Sequence, residues 1–281
     1  MSSIPILYSA HHCSSDFGKF SNRSALSAEQ RKRLSDCGTD LTVPLHGKVL
    51  LAGYSRGIVD LNRPLDRIDL FRDTDFADPP NRIWIPSQEP TPNEREDIIQ
   101  RIYRSYHDCI LRCLQELSHE HRSIVVVAWD NMGRYPLRGD GSLRPGLIVP
   151  VVLSNCGTNG STDKDGQQQE PTSCSPVILY ALAAEFRTAL LACGFSSDIA
   201  DGIHFNLPKF KGGYICEHYN TRRHPELHVD ADVQSLQVEY DIALTHNPGT
   251  LKTDNDATHR LRQAFAMAME RAYVNLLQQV S

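Results

Sequence analysis

Short apolar runs alternate with longer amphipathic ones along the chain, and this alternation predicts its elements. Ile4 to Ser9 reads as a buried strand ending in a polar cluster. Lys48 to Tyr54 and Gly57 to Leu61 are two more strand candidates, broken by Ser55 and Arg56. Ser123 to Trp129 (SIVVVAW) is β-branched and apolar on both faces, which suits a central strand. Leu147 to Leu153 is another, moved by Pro150 toward an edge or a bulge. Ser235 to Ile242 alternates and forms a late strand. Ile98, Ile102, Tyr106, Ile110 and Leu114 share one face at i, i+4 spacing and predict a helix from Asn93 to Leu117. Thr91 caps it, Pro92 suits its first turn, and Glu94 and Glu96 favour the positive end of its dipole. Ser175 to Cys193 is a second helix, capped by Ser175, begun by Pro176 and stopped by Gly194. Ala257 to Gln279 is a third, with Leu261, Phe265, Met269, Tyr273 and Leu276 or Leu277 facing inward. Residues 155–174 lack apolar content and read as a flexible surface insertion. The order of elements predicts an α/β sandwich with a mixed sheet, in which polar residues at strand ends build the site.

Composition narrows this picture in three ways. The 281 residues fit one large domain or two small ones, and 40% hydrophobic with 22% charged residues suits a globular chain. The net charge of −5 is spread without a basic stripe, so nucleic acid is not an expected partner. The start MSSIPILYSAHH has neither a basic leader nor a long apolar core, and no run approaches the roughly 20 apolar residues of a membrane span. A cytoplasmic protein is therefore expected. Its eight cysteines include no CxxC pair, so reduced thiols are expected rather than a zinc knuckle or a disulfide framework.

Candidate chemistry follows the strands. Ser9-Ala10-His11-His12 ends the first one, and imidazole is the commonest protein metal ligand. Neighbours on an extended chain point to opposite sides, so one histidine at most is expected to bind; a polar turn is the bland reading. Asp36 and Asp40 lie four apart around Gly38 and either share a face or flank a helix stop. Arg56, Asn62 and Arg63 gather after an apolar run, a suitable clamp for a carboxylate, with Asp60 available to brace one arginine. A structural ion pair near a turn is the alternative. Asp130 ends the central strand, where burial demands a metal, an arginine or an outlet to solvent. Lys211-Gly212-Gly213-Tyr214 is a basic, Gly-rich turn, and Glu239 faces away from Leu236 and Val238 on the late strand. A carboxylate there is either solvent-facing or a general base.

These pieces, in this order, resemble the N-formylglutamate amidohydrolase family. The resemblance rests on Ser9-Ala10-His11-His12, Ser35-Asp36 with Asp40, Ser55-Arg56, Val59-Asp60-Leu61-Asn62-Arg63, Tyr106-His107, Asp130-Asn131-Met132, Lys211-Gly212-Gly213-Tyr214, and Gln234 with Leu236-Gln237-Val238-Glu239. It spans about residues 4 to 242 and implies a single catalytic domain over 1–281. It implies a three-layer α/β sandwich like that of zinc carboxypeptidases and aspartoacylases, with a mixed sheet of roughly eight strands between helices. It further implies one divalent metal ion, zinc first and manganese or iron next. His12 is then the first ligand, Asp36 the second, and Asp130 stands at the third position. Glu239 becomes the general base and acid, and Arg56, Asn62, Arg63, Lys211 and Tyr214 hold the substrate, an N-formyl or N-acyl amino acid or a related small amide.

Two positions depart from the family. A proline usually stands where His11 is, and histidine then serine where Asp130 and Asn131 are. Aspartate suits harder ions better than histidine does, so a different metal, a different substrate and a lost activity all follow as readings. Asp16 and His228 are reserve ligands. A non-catalytic relative that binds a small carboxylate or a partner protein is the alternative function, and pairing of Asp130 with Arg134 or Arg56 would favour it. A peptidase acting on longer chains is a third reading, and needs an open cleft.

Overall fold

The computed structural model describes residues 5–133, 149–157, 172–227 and 229–276. Arg134, His228, Leu147 and most of the 155–174 segment fall outside these residues. Among them, six strands form one mixed sheet: β1 (Ile6–Ala10), β2 (Lys48–Leu51), β3 (Ser123–Met132), β4 (Val151–Ser154), β5 (Ile203–Phe205) and β6 (Asp232–Asp241). Their order is β2-β1-β3-β6-β4-β5. β2, β1, β3 and β6 run parallel, and β4 lies antiparallel to β6 and parallel to β5. The apolar run at 123–129 is thus central, as its composition predicts. The helices are α1 (Ala28–Leu34), α2 (Thr39–Thr42), α3 (Pro92–Ile98), α4 (Ser105–Ser118), α5 (Pro176–Ala192), α6 (Ser197–Ala200), α7 (Tyr214–His218) and α8 (Asn255–Leu276). None is long and apolar enough to cross a membrane.

The period-two alternation of β3 divides the core. Val125, Val127 and Trp129 pack with Leu182, Phe186 and Leu190 of α5 and with Leu261, Phe265 and Met269 of α8. Ile124, Val126 and Ala128 pack on the other face with Ile110 and Leu114 of α4 and with Phe17, Phe20 and Trp84 from the loops. Three layers result, because a sheet apolar on both faces must be covered on both.

Several expectations are corrected. The sheet has six strands among the described residues rather than roughly eight. Gly57 to Leu61 is not a strand: Ser55 Oγ accepts from the Gly57 amide at 3.1 Å and its carbonyl from Ile58 at 2.9 Å, which curls the chain into turns. Its Ile58, Val59 and Leu61 are still buried, and they anchor the loop instead. β4 is an interior strand, since Pro150 precedes it and only its carbonyl is needed there, accepting from Asp241 at 2.9 Å. The ends of the expected surface insertion are buried, with Asn155 Nδ2 donating to the Cys174 carbonyl at 2.9 Å. The long helix from 93 to 117 contains a π-helical stretch, Ile99–Arg104, between α3 and α4. One extra residue in that turn buries Tyr103 in place of Ile102. None of the eight cysteines is in a disulfide.

Candidate active site

The parallel strands β1, β3 and β6 end at one edge of the sheet, and each delivers acidic or imidazole groups there. The β3–β6 register sets Asp130 beside Glu239. Alternation keeps Gln237 on the same face of β6 as Glu239. The chain turns immediately after β1, held by the Asp36 amide donating to the His12 carbonyl at 3.0 Å. Because of this turn both histidines face the site, their ring centroids 4.2 Å apart. The expectation that neighbours must diverge fails here, since it holds only for extended backbone. His11, His12 and Asp130 present ligand atoms within 4.8 Å of one another, all buried.

His12 is the hub. Its Nε2 donates to Asp60 Oδ1 at 2.8 Å. Its Nδ1 lies 3.2 Å from Asp36 Oδ2 and 3.3 Å from Asp130 Oδ1. Asp60 also accepts from Arg56 Nη2 at 2.9 Å and from the Asn62 amide at 3.0 Å. Arg56 stands 3.7 Å from Asp36. The expected carboxylate clamp is therefore partly used within the protein, with Asp60 as the brace. Asp130 pairs with the histidines, while Arg56 pairs with Asp60 and Asp36.

A cavity of about 330 Å³ opens onto this cluster. Its wall includes His12, Asp36, Asp130 and Glu239 together with Arg56, Asn62, Arg63, Lys209 and Lys211. Arg63 pairs with Asp69 at 3.0 Å, and its carbonyl accepts from the Tyr103 hydroxyl at 2.7 Å. Asn62 does more than face the cavity: its Oδ1 accepts from the Ile215 amide at 2.9 Å, joining two loops far apart in sequence. Glycine is required opposite, because a Cβ on Gly213 would stand 2.1 Å from Asn62 Nδ2. Gly213→Ala is expected to force these loops apart and raise KM with little change in secondary structure, which kinetics and circular dichroism would read together. Tyr214 stacks on His218 with ring centroids 5.0 Å apart and lies outside the cavity wall. Asp16 is exposed and caps a turn through the Gly18 amide at 2.7 Å. His228 lies outside the described residues.

Gln237 stands in a motif that carries the family resemblance, but the sequence reading gave it no role. Its Oε1 accepts from the Gly213 amide at 2.6 Å, which fixes the amide orientation. Its Nε2 then points at Glu239 Oε1, 2.6 Å away, and at Asp130 Oδ2, 3.3 Å away. The signal was present: a buried polar side chain two positions before Glu239 shares its face.

The residue pattern matched by the family described as N-formylglutamate amidohydrolase covers residues 4–240. The chain belongs to the N-formylglutamate amidohydrolase family. An N-formylglutamate deformylase of Pseudomonas aeruginosa is 30% identical over 222 residues, covering 72% of this chain and 70% of that protein. An N-formylglutamate deformylase of Pseudomonas putida is 29% identical over 207 residues, covering 68% of this chain and 63% of that protein. The fold is similar to the crystal structure of N-formylglutamate amidohydrolase from Ralstonia eutropha JMP134, with a TM-score of 0.66, 19% identity, and coverage of 97% of this chain and 94% of that one. A gene product of Agrobacterium tumefaciens is similar at a TM-score of 0.57 and 17% identity, over 95% of this chain and 91% of that one.

The electrostatics of this family member's site favour a cation. Four carboxylates, those of Asp36, Asp60, Asp130 and Glu239, are buried here, and the guanidiniums of Arg56 and Arg72 approach one of them, Asp60, at 2.9 and 4.0 Å. Burial pushes the Asp36 carboxyl up to about 6, with Asp130 adding to it. Burial, then Asp130 and Asp36, holds Glu239 well above the usual carboxylate range. Burial and Arg56 disfavour a charged His12, yet Asp130 and Asp60 raise it to about 10. Burial lowers His11. His11 Nε2 is 2.8 Å from Asp130 Oδ2, and both it and Asp130 Oδ1 are buried without an assigned hydrogen bond. Orphaned buried acceptors of this kind are costly. A divalent ion fits this set: it would satisfy the orphaned atoms and favour the charged forms of the Asp36 and Glu239 carboxylates. The Asp60 bond to His12 Nε2 turns Nδ1 toward Asp36 and Asp130.

Proposed function

We propose that the chain is one catalytic domain of a cytoplasmic, metal-dependent amidohydrolase that cleaves the amide C–N bond of an N-formyl or N-acyl amino acid. The observation that carries this reading is the meeting of Glu239 with His12, Asp36 and Asp130 in one cavity that also bears Arg63 and Lys211. The names of the Pseudomonas relatives support N-formylglutamate as the first substrate to test. A cavity of about 330 Å³ matches a single amino acid derivative better than a longer peptide.

His12, Asp36 and Asp130 would hold the ion, with His11 beside them. Zinc accepts such nitrogen and oxygen donors, and the carboxylate share also suits manganese or iron. When bound, the ion supplies Lewis acidity toward a water and an amide carbonyl. Glu239 takes a proton from the attacking water and returns it to the departing amine. Arg63 and Lys211 attract the substrate carboxylate and orient the amide toward Glu239. Gln237 keeps Glu239 in place. The products are a carboxylic acid, formate for a formyl substrate, and a free amine.

The test is direct. Chelator-treated protein is reloaded with zinc, manganese or iron and given N-formyl-L-glutamate, and formate and free amine are followed. Ion-dependent release of both in equal amounts is expected. Failure to release amine from N-formyl or N-acetyl amino acids with every ion would sink the proposal.

A further inference from the structure

Two thiols stand directly behind the cavity wall. Cys156 follows β4 at a left-handed φ of 61° and is half-buried. Cys216 lies on α7 and is fully buried. Their sulfurs converge on Gly212, which lines the cavity. A Cβ on Gly212 would stand 2.7 Å from Cys156 Sγ and 3.2 Å from Cys216 Sγ. Both sulfurs thus lie against the same glycine, and Cys216 Sγ is also 3.1 Å from Ser173 Oγ. The Cys156 amide donates to the Lys211 carbonyl at 2.7 Å, so the same residue is tied to the cavity loop by its backbone.

The pair is asymmetric. The adjacent Cys216 thiol holds the Cys156 thiol below its ordinary pKa, whereas burial pushes Cys216 well above. A partly accessible, acidified thiol beside a buried resolving partner is the arrangement of a redox-sensing pair. We propose that Cys156 and Cys216 form a reversible disulfide in the presence of a hydroperoxide, and that this bond switches the cavity loop. The Cys156 thiolate attacks a peroxide oxygen, the O–O bond breaks, and the departing oxygen takes a proton and leaves as an alcohol or water. Cys156 is then a sulfenic acid. The Cys216 sulfur displaces its oxygen, which leaves as water with the Cys216 proton. Two electrons have passed from the thiols to the peroxide, and a dithiol reductant returns them.

The two sulfurs occupy the space beside Gly212, so bonding them at about 2.0 Å repacks that point of the loop. The neighbouring Gly213 amide holds Gln237, and Gln237 holds Glu239. The effect on turnover rests on the amidohydrolase reading, while the disulfide itself does not.

The reduced, zinc-loaded full chain is titrated with hydrogen peroxide and mapped by mass spectrometry of non-reduced peptides. The expected result is a peptide pair linked through Cys156 and Cys216, abolished by dithiothreitol. Turnover of N-formyl-L-glutamate falls about tenfold or more as the link forms and returns on reduction. Cys156→Ser keeps its activity through the same titration. Native tryptic cleavage after Lys211 changes in rate on oxidation, a readout that needs no substrate. Over-oxidation of Cys156 without a link, or a link from Cys216 to Cys174, overturns the proposal. So does a Cys156–Cys216 link that alters neither turnover nor cleavage. If the reduced protein hydrolyses no N-formyl amino acid, the amidohydrolase reading fails, and mapping with cleavage still decides the switch.

Discussion

Glu239→Gln lowers kcat on N-formyl-L-glutamate by about a thousandfold, within the usual range for losing a general acid–base group, and leaves metal content at the wild-type level. The substitution keeps the shape of the side chain and removes its ability to take a proton. Glu239 is 9% exposed, and Gln237 Nε2 holds one of its oxygens at 2.6 Å. Burial and the nearby Asp130 and Asp36 carboxylates raise its affinity for a proton, which suits the proposed role of carrying one from water to the leaving amine. A thousandfold loss corresponds to about 4 kcal/mol of transition-state stabilisation. Steady-state kinetics with elemental analysis of the same samples separates the roles. Full activity would remove Glu239 from the mechanism, and loss of the metal would make it a ligand.

Asp60→Ala is expected to give the largest loss of stability, about 3–5 kcal/mol, because it strands buried charge. Asp60 is fully buried and accepts from His12, Arg56 and the Asn62 amide at once. Burial opposes its ionisation, yet Arg56 and then His12 hold its carboxyl well below the usual range. A depressed folded pKa stabilises the fold fully above the unfolded value of about 3.9. That contribution is lost as pH falls through the folded pKa. The gap between wild type and variant is therefore wide at neutral pH and narrows in strong acid. Urea midpoints across that range measure it, and a gap independent of pH would show that Asp60 acts only by packing. Metal affinity should fall about 10- to 100-fold as well, because His12 loses the partner that orients it.

Asp60 also shows where sequence reading stops. The run Asp60-Leu61-Asn62-Arg63 was legible as a charged cluster at the end of an expected strand, and its order among the other motifs pointed to the family. Its wiring was not legible. Asp60 reaches His12, 48 positions earlier, and Asn62 reaches the Ile215 amide, 153 positions later. Both contacts depend on how turns bring separate strand ends together. The π-helical stretch at Ile99–Arg104 is a similar case: a regular i, i+4 stripe places Ile102 inside, and one extra residue in the turn substitutes Tyr103, whose hydroxyl reaches the Arg63 carbonyl.

Local periodicity and residue order along the chain were enough for the central strand at Ser123–Trp129, the long helices packed on the sheet, the α/β class and the family. The tertiary structure alone decided that both His11 and His12 face Asp130, that Arg56 is braced by Asp60, and that Gln237 links Glu239 to the glycine loop. Those facts depend on backbone turns and on pairings of distant buried charges, whose energies arise only once the surrounding chain has excluded water.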